Sequence, residues 1–261
     1  MLYRNLAPVS NDAWSEIDKR ASEVLKTYLS ARKVVKVNGP FGKGHNVITD
    51  GRLTNIQNKD GVNFGIYEVQ PLIESRVEFE LERWELDNIQ RGAKNIDYEP
   101  LENAMKEIAL FEDNVIFYGL ESAGIKGLEE VKTAKDIPFG KSPEDMIDSI
   151  LKGTIGLRNA FVEPPYTLIA NDEIYRRIIL ADKAYPLVKT LLKLIGGQII
   201  YSHTVNGAYL LPFNNENLEL TIGNDLSIGY QAHTPQRVRF FVTESFAFRV
   251  FDTSLIIKFT V

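Results

Sequence analysis

Residues 71–92 read PLIESRVEFELERWELDNIQRG, from Pro71 to Gly92. The stretch opens on strict alternation. Val77, Phe79 and Leu81 point to one side, and Arg76, Glu78, Glu80 and Glu82 to the other. Side chains of a strand alternate between its two faces, so this pattern predicts a half-buried strand with one wet face. At Trp84 the alternation breaks into WELDN, and Gln90-Arg91-Gly92 reads as the end of an element. If the strand continued to Trp84, the indole would share the wet face with Arg76. An aromatic ring beside a cation suits a planar anion, whereas Trp under a neighbouring element with Arg paired to Glu78 or Glu80 is the plainer account. Glutamates alternating on one strand face form a solvated surface more readily than a site for a hard metal.

Outward from this strand, the chain divides into recognisable elements. Asp12 is a plausible cap for a helix reaching about Ala31, with Trp14, Ile17, Ala21, Val24, Leu25 and Tyr28 at helical spacing. Residues 45–70 form a polar stretch of short strands, poor in large apolar residues, turning at Asp60-Gly61. Such a hairpin does not support itself in water, so it is expected to lie across something else. Residues 98–118 predict the longest helix, with Leu101, Ala104, Met105, Ile108, Phe111 and Val115 as one apolar stripe and Gly119 as terminator. After a Lys-, Asp-, Pro- and Gly-containing linker, Ser142-Pro143-Glu144-Asp145 signals a capped helix start. YTLIAN (residues 166–171) reads as a buried strand, helices are expected at about 172–181 and 186–195, and short strands run to the last residue. A terminal apolar strand has to be covered, in the core or by a neighbour.

Composition excludes several function classes. The 261 residues are 44% hydrophobic and 25% charged, enough for a sizeable core and unlike a disordered chain. A net charge of −5 gives no basic excess for nucleic acid. The chain has no cysteine, so disulfides, thiol catalysis and thiolate metal sites are absent from it. His45, His203 and His233 are widely separated, and no metal-ligand spacing links them. No nucleophile elbow, P-loop or dinucleotide fingerprint occurs, and Gly196-Gly197-Gln198 is explained as a helix end followed by a strand. No catalytic residue is predicted. With no signal-like or membrane-spanning apolar run, a soluble cytoplasmic protein is expected, without membrane or nucleic-acid partners.

The segment from Pro71 to Gly92 resembles the same region of the encapsulin shell proteins, and other segments match that family in the same order. They include Leu6-Ala7-Pro8, Glu16-Ile17-Asp18, Arg32-Lys33, Gly39-Pro40, Phe111-Glu112-Asp113, Gly124 to Leu128, Pro165 to Leu168, Tyr185-Pro186-Leu187 and Thr243 to Phe246. The resemblance implies an α+β chain with the tailed-phage major capsid (Hong Kong 97-type) fold. On that fold, residues 1–44 are an N-terminal arm and helix, 45–70 an extended loop, 71–131 a peripheral domain with its spine helix, 132–220 an axial domain, and 221–261 the returning peripheral strands.

What the resemblance implies about function is a homo-oligomeric icosahedral nanocompartment of about 60 copies. It would enclose a cargo enzyme, a ferritin-like iron oxidase or a dye-decolourising peroxidase, recruited through a C-terminal targeting peptide. By position, the peptide would meet Leu25, Tyr28, Arg32, Ile228 and Tyr230. Apolar side chains with one arginine suit leucine or isoleucine anchors and a carboxylate. Lys36 stands where some relatives have an acid. Arg76 and Trp84 match positions where some encapsulins hold a flavin (FMN), a cofactor the shell does not require. Asp182, Lys183, Ala184 and Tyr185 resemble the tip that lines the five-fold pore. The alternatives are a phage or prophage capsid protein, with a basic inner wall, and a soluble enzyme that stays a small oligomer.

Overall fold

The structure, a computed structural model, describes residues 2–181 and 186–261. In chain order, α1 (Asn11–Tyr28) precedes β1 (Lys36–Asn38), the hairpin strands β2 (Val47–Lys59) and β3 (Val62–Pro71), and β4 (Ile73–Glu82). Then come α2 (Arg83–Gln90), α3 (Glu99–Tyr118), α4 (Leu128–Val131), β5 (Ile137–Pro138), α5 (Pro143–Asn159), β6 (Tyr166–Ala170), α6 (Asp172–Ala181) and α7 (Leu187–Ile195). The chain ends with β7 (Ile199–Tyr201), β8 (Ala208–Pro212), β9 (Leu218–Ile222), β10 (Ser227–His233), β11 (Arg237–Val250) and β12 (Ile257–Thr260).

Two five-stranded sheets organise the described residues. The first runs β1-β9-β11-β10, with β4 also on β11; the second runs β5-β12-β8-β6-β7. Helix α3 serves the first sheet at both ends. Leu101, Ala104, Met105 and Ile108 pack with α1, β4 and β11, while Val115, Ile116 and Phe117 enter a separate core with β9 and the end of β11. The second sheet is buried beneath α5, α6 and α7. Every residue of β6 is buried, as the continuous apolar run predicts.

Most predicted elements form, and the differences have local causes. Ser10, not Asp12, caps α1; its hydroxyl accepts from the Ala13 amide at 3.2 Å. The helix stops at Tyr28 because the Asp113 carboxylate accepts from the amides of Ser30 and Ala31, at 3.0 Å each, and draws the chain into a separate turn. Phe111, expected in the α3 stripe, is 38% exposed. Glu112 and Asp113 take the buried positions instead, because each has partners there. Ser142 caps α5 as predicted, and Asp145 completes a capping box with it.

The expected division at 220/221 does not follow the sheets. It cuts β9, which belongs to the first sheet, and β12 leaves the first sheet to lie between β5 and β8. β12 is drawn there by burial of Ile257 and Phe259 against α5. Gly153 allows that approach: a Cβ at this position would lie 2.9 Å from the Phe259 ring.

The hairpin β2–β3 pairs only with itself among the described residues. Its turn has Asp60 at φ 53° and Gly61 at φ 85°, the left-handed pair that a two-residue hairpin turn requires. It is not the short, apolar-poor element that the sequence suggests. Val62, Phe64 and Ile66 lie on one face of β3, Tyr67 and Val69 on the other, and all five are exposed. Register shifts in β2 spread Leu53 and Ile56 among polar neighbours, which hides the pattern in the sequence.

Candidate functional site

Alternation along β4 is as expected: Phe79 and Leu81 are buried, while Glu78 and Glu82 are exposed. The wet face is a ladder of cross-strand ion pairs with β11. Arg237 Nε reaches Glu82 at 2.7 Å, and Arg239 Nε reaches Glu80 at 2.8 Å. Trp84, however, is not on this strand. The chain enters α2 at Arg83, and the indole is 70% exposed with the Arg91 guanidinium 5.5 Å from its ring. Arg76 lies over Phe241 instead, at 4.2 Å. Within one chain Arg76 and Trp84 therefore do not share one aromatic-and-cation platform. The pore residues Asp182, Lys183, Ala184 and Tyr185 lie outside the described residues.

A groove of about 650 Å³ opens between α1 and β10. The helix creates it by its own periodicity. Ala13, Trp14, Ile17 and Ala21 bury into the core, Trp14 meeting Phe240 edge-on at 5.3 Å. One turn further on, Leu25, half-buried against that core, and Leu29, just past the helix end, form a groove wall. Ile228, Val242 and Met105 face them, and Leu2 and Arg4 close one end. The β10 edge is already partly used: the Tyr230 amide donates to the Leu2 carbonyl at 2.7 Å.

Of the five predicted peptide-contacting residues, the structure brings Leu25, Ile228 and Arg32 to this groove. Tyr28 turns away and stacks on His203, with ring centres 4.5 Å apart. Tyr230 is outside the groove lining, and its hydroxyl meets His233 Nδ1 at 2.5 Å. Lys36 also lies elsewhere, on β1 beside Glu219 of β9.

Arg32 does not present a free guanidinium. Its Nε bonds Glu112 at 2.8 and 2.9 Å, one terminal nitrogen bonds Asp225 at 2.8 Å, and the other bonds both Glu112 and Glu244. Glu112 and Glu244 are fully buried. Burial alone would lower the Arg32 pKa, but these carboxylates more than offset it and hold the guanidinium charged. Burial and the Glu112 charge together push the Glu244 carboxyl well above its ordinary range. Asp113 next door is raised to about 6 by burial, against the hydrogen bonds from Ser30 and Ala31. These three acids went unremarked as a cluster in the sequence. Glu244 is the one available signal, an acid inside the apolar strand FFVTESFAF (residues 240–248).

Two sheets, a long helix across the first, and a projecting hairpin define the class. The virus-like particle of Pyrococcus furiosus superposes with a TM-score of 0.66 at 18% identity, covering 94% of this chain and 98% of that one. The capsid of Myoviridae phage XM1 gives 0.55 at 13% identity, covering 88% and 90%. This is the fold of tailed-phage major capsid proteins, in the α+β class. A family model described as an encapsulating protein for peroxidase (Linocin_M18) matches residues 1–247. The Type 1 encapsulin shell protein of Mycolicibacterium paratuberculosis is 32% identical over 261 residues, 99% of this chain and 98% of that protein. The chain belongs to the encapsulin shell protein family. Its relatives are structural shell proteins, and it is a shell subunit rather than an enzyme. Among the described residues no helix is long and apolar enough to cross a membrane.

Proposed function

We propose that this chain builds a cytoplasmic icosahedral compartment of about 60 copies, which encloses an enzyme held by a short apolar C-terminal peptide. The groove between α1 and β10 carries the docking part of this reading, because it presents half-buried Leu25 beside buried Ile228 in a cleft of about 650 Å³. Each leucine-sized anchor buried there contributes about 1.5–3 kcal/mol, so two or three anchors suffice for a specific tether. The cargo is a peroxidase or a ferritin-like iron oxidase; the family description names the first. Arg32 shapes the groove wall rather than gripping the tail, since its donors already serve three carboxylates.

The hairpin β2–β3 supports assembly. Its exposed Phe64 and Ile66 on one face and Tyr67 and Val69 on the other have no cover in a single chain. A neighbouring subunit is the natural cover in a shell.

Leu25→Asp tests the docking reading. Leu25 is only partly buried, so the variant is expected to assemble normally. Cargo recovered per purified shell should fall about tenfold or more, as loss of one anchor predicts. Undiminished loading would place the peptide elsewhere.

A further inference from the structure

We propose that the groove selects a cargo tail whose apolar anchors are flanked by carboxylates, with Lys26 and Lys33 as the recognising cations. This rests on the docking reading above and adds the charge of the partner to it.

The charged residues lining the groove are Arg4, Asp18, Lys26, Arg32, Lys33 and Asp225. Both acids are committed. Asp18 pairs with Arg4 at 2.5 Å, and Asp225 accepts from Arg32 at 2.8 Å and from the Leu226 amide at 2.8 Å. Arg32 is in turn paired from below with the buried Glu112 and hydrogen-bonded to the buried Glu244. Lys26 and Lys33 form no ion pair among the described residues. They are therefore the lining charges left without an ion pair among the described residues, although the whole chain carries −5.

Lys26 and Lys33 line the same groove as Leu25 and Ile228, so a tail held on those anchors comes near both lysines. Carboxylates beside its anchors gain two exposed ion pairs of about 0.2–1 kcal/mol each, whereas lysines or arginines there meet like charge and find no free acid. Together the pairs correspond to a roughly 2- to 10-fold preference.

The test uses the full-length shell co-produced with two fluorescent reporter proteins of different colour. Both end in the same leucine-bearing tail, one flanked by Asp and Glu, the other by Lys and Arg. Purified wild-type shells should hold several-fold more of the acid-flanked reporter. In shells carrying Lys26→Glu and Lys33→Glu the ratio should fall to one or invert. Equal loading in the wild type, or a basic preference, would overturn the charge proposal while leaving the groove as the docking site. Absence of both reporters from intact shells would overturn the docking reading, and the charge proposal with it.

Discussion

Arg32 is committed to carboxyl groups of its own chain, which favours a structural role over a docking one. Family likeness places it at the groove, and it is there. Its partners Glu112 and Glu244 are 80 and 212 residues away in the chain, a separation that no local pattern encodes. Removing one member of a buried ion pair leaves the rest without compensation, at about 3–5 kcal/mol. Arg32→Ala should therefore lower the melting temperature of the shells or yield insoluble protein, rather than empty but sound particles. Arg32→Lys should rescue only part of the loss, because a point charge cannot bridge three carboxylates as a planar fork does. Melting curves of the two variants against wild type check this. An Arg32→Ala shell as stable as the parent would return the residue to a docking role.

At the scale of elements, periodicity and caps made most of the architecture legible. The Ser142 box, the Asp60-Gly61 turn and the alternation of β4 each follow from nearby residues, and each forms. Elements whose ends depend on distant groups were misplaced. Helix α1 stops where Asp113 of α3 captures the Ser30 and Ala31 amides. The alternation breaks at Trp84 in the sequence, but parity alone does not register that the break is a turn into α2 at Arg83. Among the described residues the hairpin β2–β3 has no strand partner but itself. Apart from Ile48 at its base, which packs against the core under β9, it contributes to none of the three buried cores, so the apolar faces of its outer part can change without unfolding the subunit. Tyr67→Asp with Phe64→Asp should leave helix and sheet content unchanged by circular dichroism, yet reduce or abolish assembled particles in size-exclusion chromatography. Normal particles from that variant would show that the hairpin faces carry no intersubunit contact.

For the molecule as a whole, composition excluded much and asserted little. A moderately acidic, cysteine-free chain of ordinary hydropathy is compatible with an enzyme or a shell, so the decision came from colinear likeness along the chain. The relatives and the capsid fold now make it a shell subunit. That identity explains features that a monomer leaves without purpose: a long self-paired hairpin with two exposed apolar faces, and an open groove beside an N-terminal helix. The most direct measurement is the mass of the purified particle, by light scattering coupled to size exclusion with negative-stain imaging. The account predicts a hollow, uniform particle near 1,780 kDa, about 60 times the 29.6 kDa chain. A stable, soluble monomer or dimer would contradict it.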